Sequence, residues 1–267
     1  MAQLFQESHW VKTATVVAFP AAAVGYLTAR FIDEYEGWLR MGRGGLPYNL
    51  YGYCLNLYLT FRFGRSDTMS LYFYDRPDKY SPAWKKATQL EQLNAQRSWL
   101  DAPLPVRPAP RSKAIHYCAP QRERNANEYL DPDLKQAYLK AFEDLVESNG
   151  DAVEWRTSVL ERRGRAMFLK DTYGLPNPLA YARRELAHLH DSDISGHILL
   201  SFGDAREVLS KGWGESHRVA GTIAPLGYMI IYQPRNMDEL ETFLNILKAS
   251  IAYGKSNGKD VNKEKSA

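Results

Sequence analysis

The stretch from Val153 to Gln233 constrains the fold most. "VEWRTSVLERRGRAMFLK" reads as two short strands with "RRG" at their turn. "GHILLSF" and "GYMIIYQP" are further strands, and "YARRELAHLHD" is a helix end or a strand. "DTYGLPNPLAYA" is a loop, and "DAREVLSKG" is a short helix with Asp204 as N-cap and Gly212 past its end. Helices bracket the set. "DPDLKQAYLKAFEDLVESNG" opens with Asp131 as N-cap and Pro132 in the first turn, and buries a stripe from Leu134 to Leu145. A last helix follows Asn236, with Glu239 three residues on, and buries Met237, Leu240, Phe243, Leu244, Leu247 and Ile251. The expected fold class is α+β: a small antiparallel or mixed sheet packed by helices. Strands and helices do not alternate as a doubly wound sheet requires, and there is no Gly-rich phosphate loop or dinucleotide fingerprint.

The N-terminal part has a different character. Residues 13–29, "TATVVAFPAAAVGYLTA", carry no charge and sit between Lys12 and Arg30. That is the short end of a spanning helix and suggests a membrane anchor, the alternative being a buried helix. "LPYNLYGYCLNLYLTFRF", residues 46–63, has the composition of a helix lying in the lipid headgroup zone, or of a core helix covered by the later domain. The expected organisation is a membrane-associated helical segment over 1–64, a connector over 65–130, the α+β domain over 131–254, and a disordered tail over 255–267. The connector should hold a polar helix over 83–100 and a surface-running, proline-rich stretch, "DAPLPVRPAPRSKA". A net charge of +3 and the lack of a recognisable motif argue against a nucleic-acid partner. The two cysteines, Cys54 and Cys118, match no zinc or disulfide framework and read as free thiols of a reducing compartment.

The chemistry concentrates in "ELAHLHDSDISGH", which holds His188, His190 and His197, with His217 twenty residues later. On a strand, His188 and His190 point to the same face. Turn formers in "DSDISG" would let a hairpin bring His197 back beside them. Three readings stay open. The histidines with Asp191 or Asp193 suit iron, copper or zinc; they suit metal-free acid–base chemistry; or they are polar loop residues with no shared site. Glu185 orients one of them or is a solvated acid among Arg183 and Arg184. Trp213 stacks on a flat ligand or plugs against the preceding helix. Tyr232 and Arg235 end the last strand, where Arg235 pairs with an anionic ligand or with Glu239.

These residues carry a resemblance. Glu185-Leu186-Ala187-His188-Leu189-His190, Asp193-Ile194-Ser195-Gly196-His197 and Gly212-Trp213-Gly214-Glu215-Ser216-His217 are similar to three motifs of the fungal luciferase family. "YQPRN" resembles the family's last strand-to-helix junction, and the match covers roughly residues 153–254. The resemblance implies a luciferase-like domain acting on a hydroxylated styryl α-pyrone of the 3-hydroxyhispidin type. The reaction would use molecular oxygen and neither metal nor organic cofactor, and pass through an endoperoxide and decarboxylation to light emission. It implies His190 or His188 as base, with His197 and His217 binding the pyrone oxygens. Glu185, Asp193, Trp213, Tyr232 and Arg235 would complete the substrate site, Arg235 offsetting the enolate charge. It also implies a membrane-associated, intracellular location through a single N-terminal anchor, for example at the endoplasmic reticulum. Two positions depart from the family: Ile194 where glycine is usual, and Arg218 where proline is usual. The competing functions are a non-luminous relative acting on another phenolic or polyketide, with or without a metal, and a membrane-tethered binding protein without catalysis.

Overall fold

The computed structural model describes residues 2–108, 111–114, 116–123, 131–190 and 193–259, with side chains from residue 20 onward. Its centre is a six-stranded sheet in the order β1-β2-β3-β4-β6-β5. The strands are β1 (Val153–Thr157), β2 (Arg165–Leu169), β3 (Glu185–Leu189), β4 (Gly196–Leu199), β5 (Gly214–Ser216) and β6 (Tyr228–Ile231). Every neighbouring pair is antiparallel, so the sheet is antiparallel rather than mixed. The "RRG" turn works as expected, with Arg162 and Gly164 at positive φ. "ELAHL" is a strand, and the hairpin from β3 to β4 sets His188 opposite His197.

There are eight α-helices in the described residues: α1 (Ala2–Arg40), α2 (Leu50–Phe63), α3 (Tyr72–Asp75), α4 (Pro77–Tyr80), α5 (Gln89–Gln96), α6 (Pro132–Ser148), α7 (Phe202–Lys211) and α8 (Asp238–Gly254). The Asp131 carboxylate accepts from the backbone N–H groups of Asp133 and Leu134 at the head of α6. The inward stripe of α6 buries Leu134, Tyr138, Phe142 and Leu145, and α8 buries Phe243, Ile246, Leu247 and Ile251. Both belong to the main core, with Met167, Leu186, Ile198 and Met229 of the sheet.

Two caps and one helix differ from expectation. Ser201, not Asp204, caps α7, and the Asp204 carboxylate instead accepts from Ser98 Oγ at 2.7 Å and the Trp99 N–H at 2.9 Å. Asn236 does accept from the Glu239 N–H, but α8 begins at Asp238. The helix expected over 83–100 is two pieces. A 3₁₀ turn covers Trp84–Lys86, and α5 starts afresh at a capping box of Thr88 and Glu91.

The connector packs on the domain rather than running loose. Leu104 and Arg107 from its proline-rich stretch are buried, and Arg107 pairs with Glu239 at 2.8 Å. Residues Lys255–Asn257, placed in the tail by sequence, form a 3₁₀ turn, and Asn257 donates to Glu91; residues 260–267 lie outside the described set.

The membrane anchor expected over residues 13–29 falls partly on residues whose side chains lie outside the described set. The uncharged run lies inside α1, yet among the described residues no helix is long and apolar enough to cross a membrane. α2 packs one side on α1 through a cluster of Trp38, Tyr53 and Tyr117. Its other side exposes Tyr51, Leu57, Tyr58 and Phe61. Buried Asn56 of α2 accepts from the backbone N–H groups of Cys118 and Ala119, and Trp38 donates to Ala119 O. These bonds fix residues 118–121 as one wall of the cavity described next. Cys54 is exposed, Cys118 is buried, and both are free thiols.

Candidate active site

The sheet gathers four histidines on one face. His188 and His197 are direct partners across β3 and β4. His190 lies two residues beyond His188 and therefore on the same side. His217 follows β5, and its backbone N–H donates to Tyr228 O at the start of β6. Ring centroids lie 5.4 Å apart for His188–His190, 5.2 Å for His188–His197, 4.7 Å for His190–His197 and 4.8 Å for His197–His217. Tyr228 stacks on His217 with centroids at 4.7 Å and packs on His197 at 5.0 Å. All four imidazoles are buried, so the loop-histidine reading does not hold.

A surrounding shell fixes their protons. His188 Nδ1 lies 2.7 Å from Glu185 Oε1. The same carboxylate accepts from Ser158 Oγ and from the N–H groups of Val159 and Leu160. It has only lone pairs to offer, so His188 Nδ1 is the donor and His188 Nε2 keeps a lone pair. His190 Nδ1 lies 2.9 Å from Ser195 Oγ, which donates to Asp193 Oδ2 at 2.8 Å. The serine hydrogen is committed to the aspartate, so His190 also donates from Nδ1 and holds a lone pair on Nε2. His217 Nδ1 accepts from the Val219 N–H, which leaves the proton of its neutral ring on Nε2.

Burial holds three of the rings neutral. It pushes His190 and His197 well below the usual histidine range, helped by Arg122 and the neighbouring rings, and takes His217 down to about 3. Burial acts the other way on the Asp193 carboxyl, which it raises.

A cavity of about 350 Å³ opens against this cluster, with His197, His217 and Tyr228 at its inner end. Leu46, Leu59, Leu160 and Ile223 supply apolar walls, while Arg162 and Arg183 also line it. The N-terminal segment and the domain thus build it together. A wider groove of about 1000 Å³ along α6 and β1–β2 has no histidine among its described lining residues, so the chemistry belongs to the smaller cavity.

The other sequence candidates divide. Glu185 and Asp193 are buried partners of His188 and His190, orienting them rather than lining the cavity. Trp213 is the plug: buried in the main core, it donates from Nε1 to Pro105 O at 2.7 Å and does not line the cavity. Tyr232 is equally buried and donates to Glu215 Oε1 at 3.3 Å. Arg235 is held by Glu239 at 2.6 Å and by Pro108 O, so it is not placed to offset charge at the site. Asp191 lies outside the described residues. Arg218, where the family usually has proline, donates to Arg65 O and His116 O, tying the N-terminal half to the β5–β6 connection. Tyr228, Ser158 and Arg122 went unnoticed in the sequence, and Ser195 entered only as part of a motif, without a role. Only Tyr228, at the head of the strongest strand, could have been anticipated from strand parity.

A sheet that buries four histidines at the floor of a cavity has the character of an enzyme domain, and the comparisons with known proteins agree. Residues 183–250 match the family described as "Luciferase domain". The luciferase of Armillaria mellea is 31% identical over 259 residues, covering 91% of this chain and 85% of that protein. The luciferase of Neonothopanus nambi is 28% identical over 257 residues, covering 91% and 85%. No solved structure matches. The chain belongs to the fungal luciferase family, and its function is luciferase-like.

Proposed function

We propose that the protein oxidises a hydroxylated styryl-pyrone of the 3-hydroxyhispidin type with molecular oxygen and emits light. The observation that carries this reading is the buried histidine cluster, which His197 and His217 bring to the inner end of a cavity of about 350 Å³ with Leu46, Leu59, Leu160 and Ile223 in its walls. A flat pyrone with a styryl arm suits a slot walled by Leu46, Leu59, Leu160 and Ile223.

The enol proton is taken up at the histidine cluster, where burial keeps lone pairs free at neutral pH. His217 Nε2–H donates to a pyrone oxygen and stabilises the enolate as it forms. Arg162 and Arg183 supply the positive charge that Arg235 does not. The electron-rich anion passes an electron to oxygen; the resulting pair combines into an endoperoxide, carbon dioxide leaves, and the carbonyl product is released excited. A dry pocket protects it from water. The outward aromatic face of α2 supports a location against a lipid surface rather than across one.

The test is to mix purified protein with 3-hydroxyhispidin in air and follow light and oxygen uptake together. Both signals are expected. Oxygen uptake in the dark would identify a non-luminous relative, and the absence of both would sink the substrate assignment.

A further inference from the structure

The protonation pattern leaves a problem at the centre of the cluster. His188 Nε2, His190 Nε2 and His197 Nδ1 are all buried, and none has a hydrogen-bond partner. The first two hold lone pairs, because their Nδ1 protons are committed to Glu185 and to the Ser195–Asp193 pair. Burying polar atoms unsatisfied costs about 1–3 kcal/mol each. The three rings are also gathered together: one nitrogen from each falls within 4.8 Å of the others. We propose that His188, His190 and His197 hold a divalent transition-metal ion.

Four further features fit. The first is the outer shell. A metal-bound histidine typically donates its other N–H to a carboxylate or hydroxyl, which aims the lone pair and raises its basicity; His188 has Glu185 and His190 has Ser195 backed by Asp193. The second is charge. Around the cluster the carboxylates of Glu161, Glu185 and Asp193 outnumber the guanidinium groups of Arg122 and Arg163, and Glu161 and Arg122 pair at 3.1 Å. That excess of acid favours a cation. The third is space. A small cavity of about 20 Å³ touches His188 and His190, and the larger one reaches His197, which supplies an open coordination position for a ligand. The fourth is donor type. Three imidazoles select zinc, iron, copper or nickel over magnesium or calcium.

Zinc–imidazole bonds of about 2.1 Å place ligand nitrogens about 3.4 Å apart, so the rings draw inward on binding by rotation about their side-chain torsions. The role of the ion in turnover rests on the substrate reading above; its binding does not. An ion held by these three rings would supply a Lewis-acidic position beside His197, and the proton acceptor of the reading above would then be a water on that ion rather than a histidine lone pair.

The experiment uses the full chain, stripped with a chelator and titrated with Co²⁺ while visible absorption is followed. Saturation at one Co²⁺ per chain is expected, with d–d bands of a four- or five-coordinate ion. His188→Ala and His190→Ala should each weaken binding by about 100-fold or more, and Glu185→Gln by about 10- to 100-fold. Circular dichroism of the stripped proteins checks folding, and His190→Gln replaces any alanine variant that fails to fold. A wild-type protein without stoichiometric binding, or binding unchanged in His188→Ala and His190→Gln, overturns the proposal. Full pyrone turnover by stripped protein that takes up no Co²⁺ overturns the ion and leaves the substrate reading standing. Stoichiometric Co²⁺ binding without pyrone turnover upholds the ion and removes the substrate reading.

Discussion

His188 and His197 face each other across β3 and β4 with ring centroids 5.2 Å apart, and that cross-strand pairing fixes the site. A one-residue slip of either strand would turn its imidazole to the opposite face. His188 is held from behind by Glu185, which also accepts from Ser158, Val159 and Leu160. Glu185→Gln keeps the size but disturbs both functions. Oxygen uptake with the pyrone should fall by about 10- to 100-fold, and stability by about 1–3 kcal/mol. Steady-state rates and urea unfolding measure the two separately. Unchanged turnover would remove Glu185 as a positioning residue.

Trp213 tests the assignment of a core role. Trp213→Phe keeps the ring but leaves Pro105 O without its indole donor. The expected loss is about 1–3 kcal/mol of stability with kcat and KM close to wild type, because Trp213 does not line the cavity. A raised KM at unchanged stability would return it to the substrate site.

Ile194 stands at φ +49° in the hairpin that joins the two histidine strands, and it is fully buried. A β-branched residue in the left-handed region costs about 1–2 kcal/mol, which glycine avoids. Ile194→Gly should therefore destabilise less than Ile198→Gly, an equally buried change within β4, by about that amount. Chemical unfolding of the two variants gives the comparison, and equal losses would mean no strain at Ile194.

Glu91 carries a pH dependence. Burial alone would raise its pKa, but hydrogen bonds from Asn257, Asn177 and Thr88 outweigh that and lower it from 4.5 to about 2. The folded state therefore holds this carboxylate ionised more strongly than the unfolded chain does. Its contribution is complete above pH 4.5 and is lost as pH falls towards 2. Glu91→Gln should flatten the decline of the urea midpoint between pH 6 and pH 3. An unaltered decline would assign it to other carboxylates.

The aromatic face of α2 predicts binding to vesicles. Tyr58 and Phe61 project outward, so a Tyr58→Ser, Phe61→Ser double variant should co-sediment with phosphatidylcholine vesicles at least about tenfold less than wild type. Equal sedimentation would place any lipid contact elsewhere.

Much of the architecture was legible because it rests on local rules. Asp131 and Pro132 opened a helix, "RRG" turned a hairpin, and the two-residue spacing of His188 and His190 set them on one face of a strand. Cap positions were less legible where tertiary partners competed: Asp204 left the α7 cap for Ser98 and Trp99, and Glu239 was drawn to Arg107 and Arg235.

The sequence by itself determined the α+β class, the histidine hairpin and the family. Only the tertiary structure decided which candidates share a site. Trp213, Tyr232 and Arg235 were plausible by type, but burial against Pro105, Glu215 and Glu239 committed their polar atoms elsewhere. Tyr228 joined the site because antiparallel pairing of β6 with β4 and β5 set its ring against His197 and His217. The three unsatisfied nitrogens are also a tertiary property. Residue identity and spacing supply the imidazoles and their nearby partners Glu185 and Ser195, but only the pairing of β3 with β4 brings His197 against the other two rings.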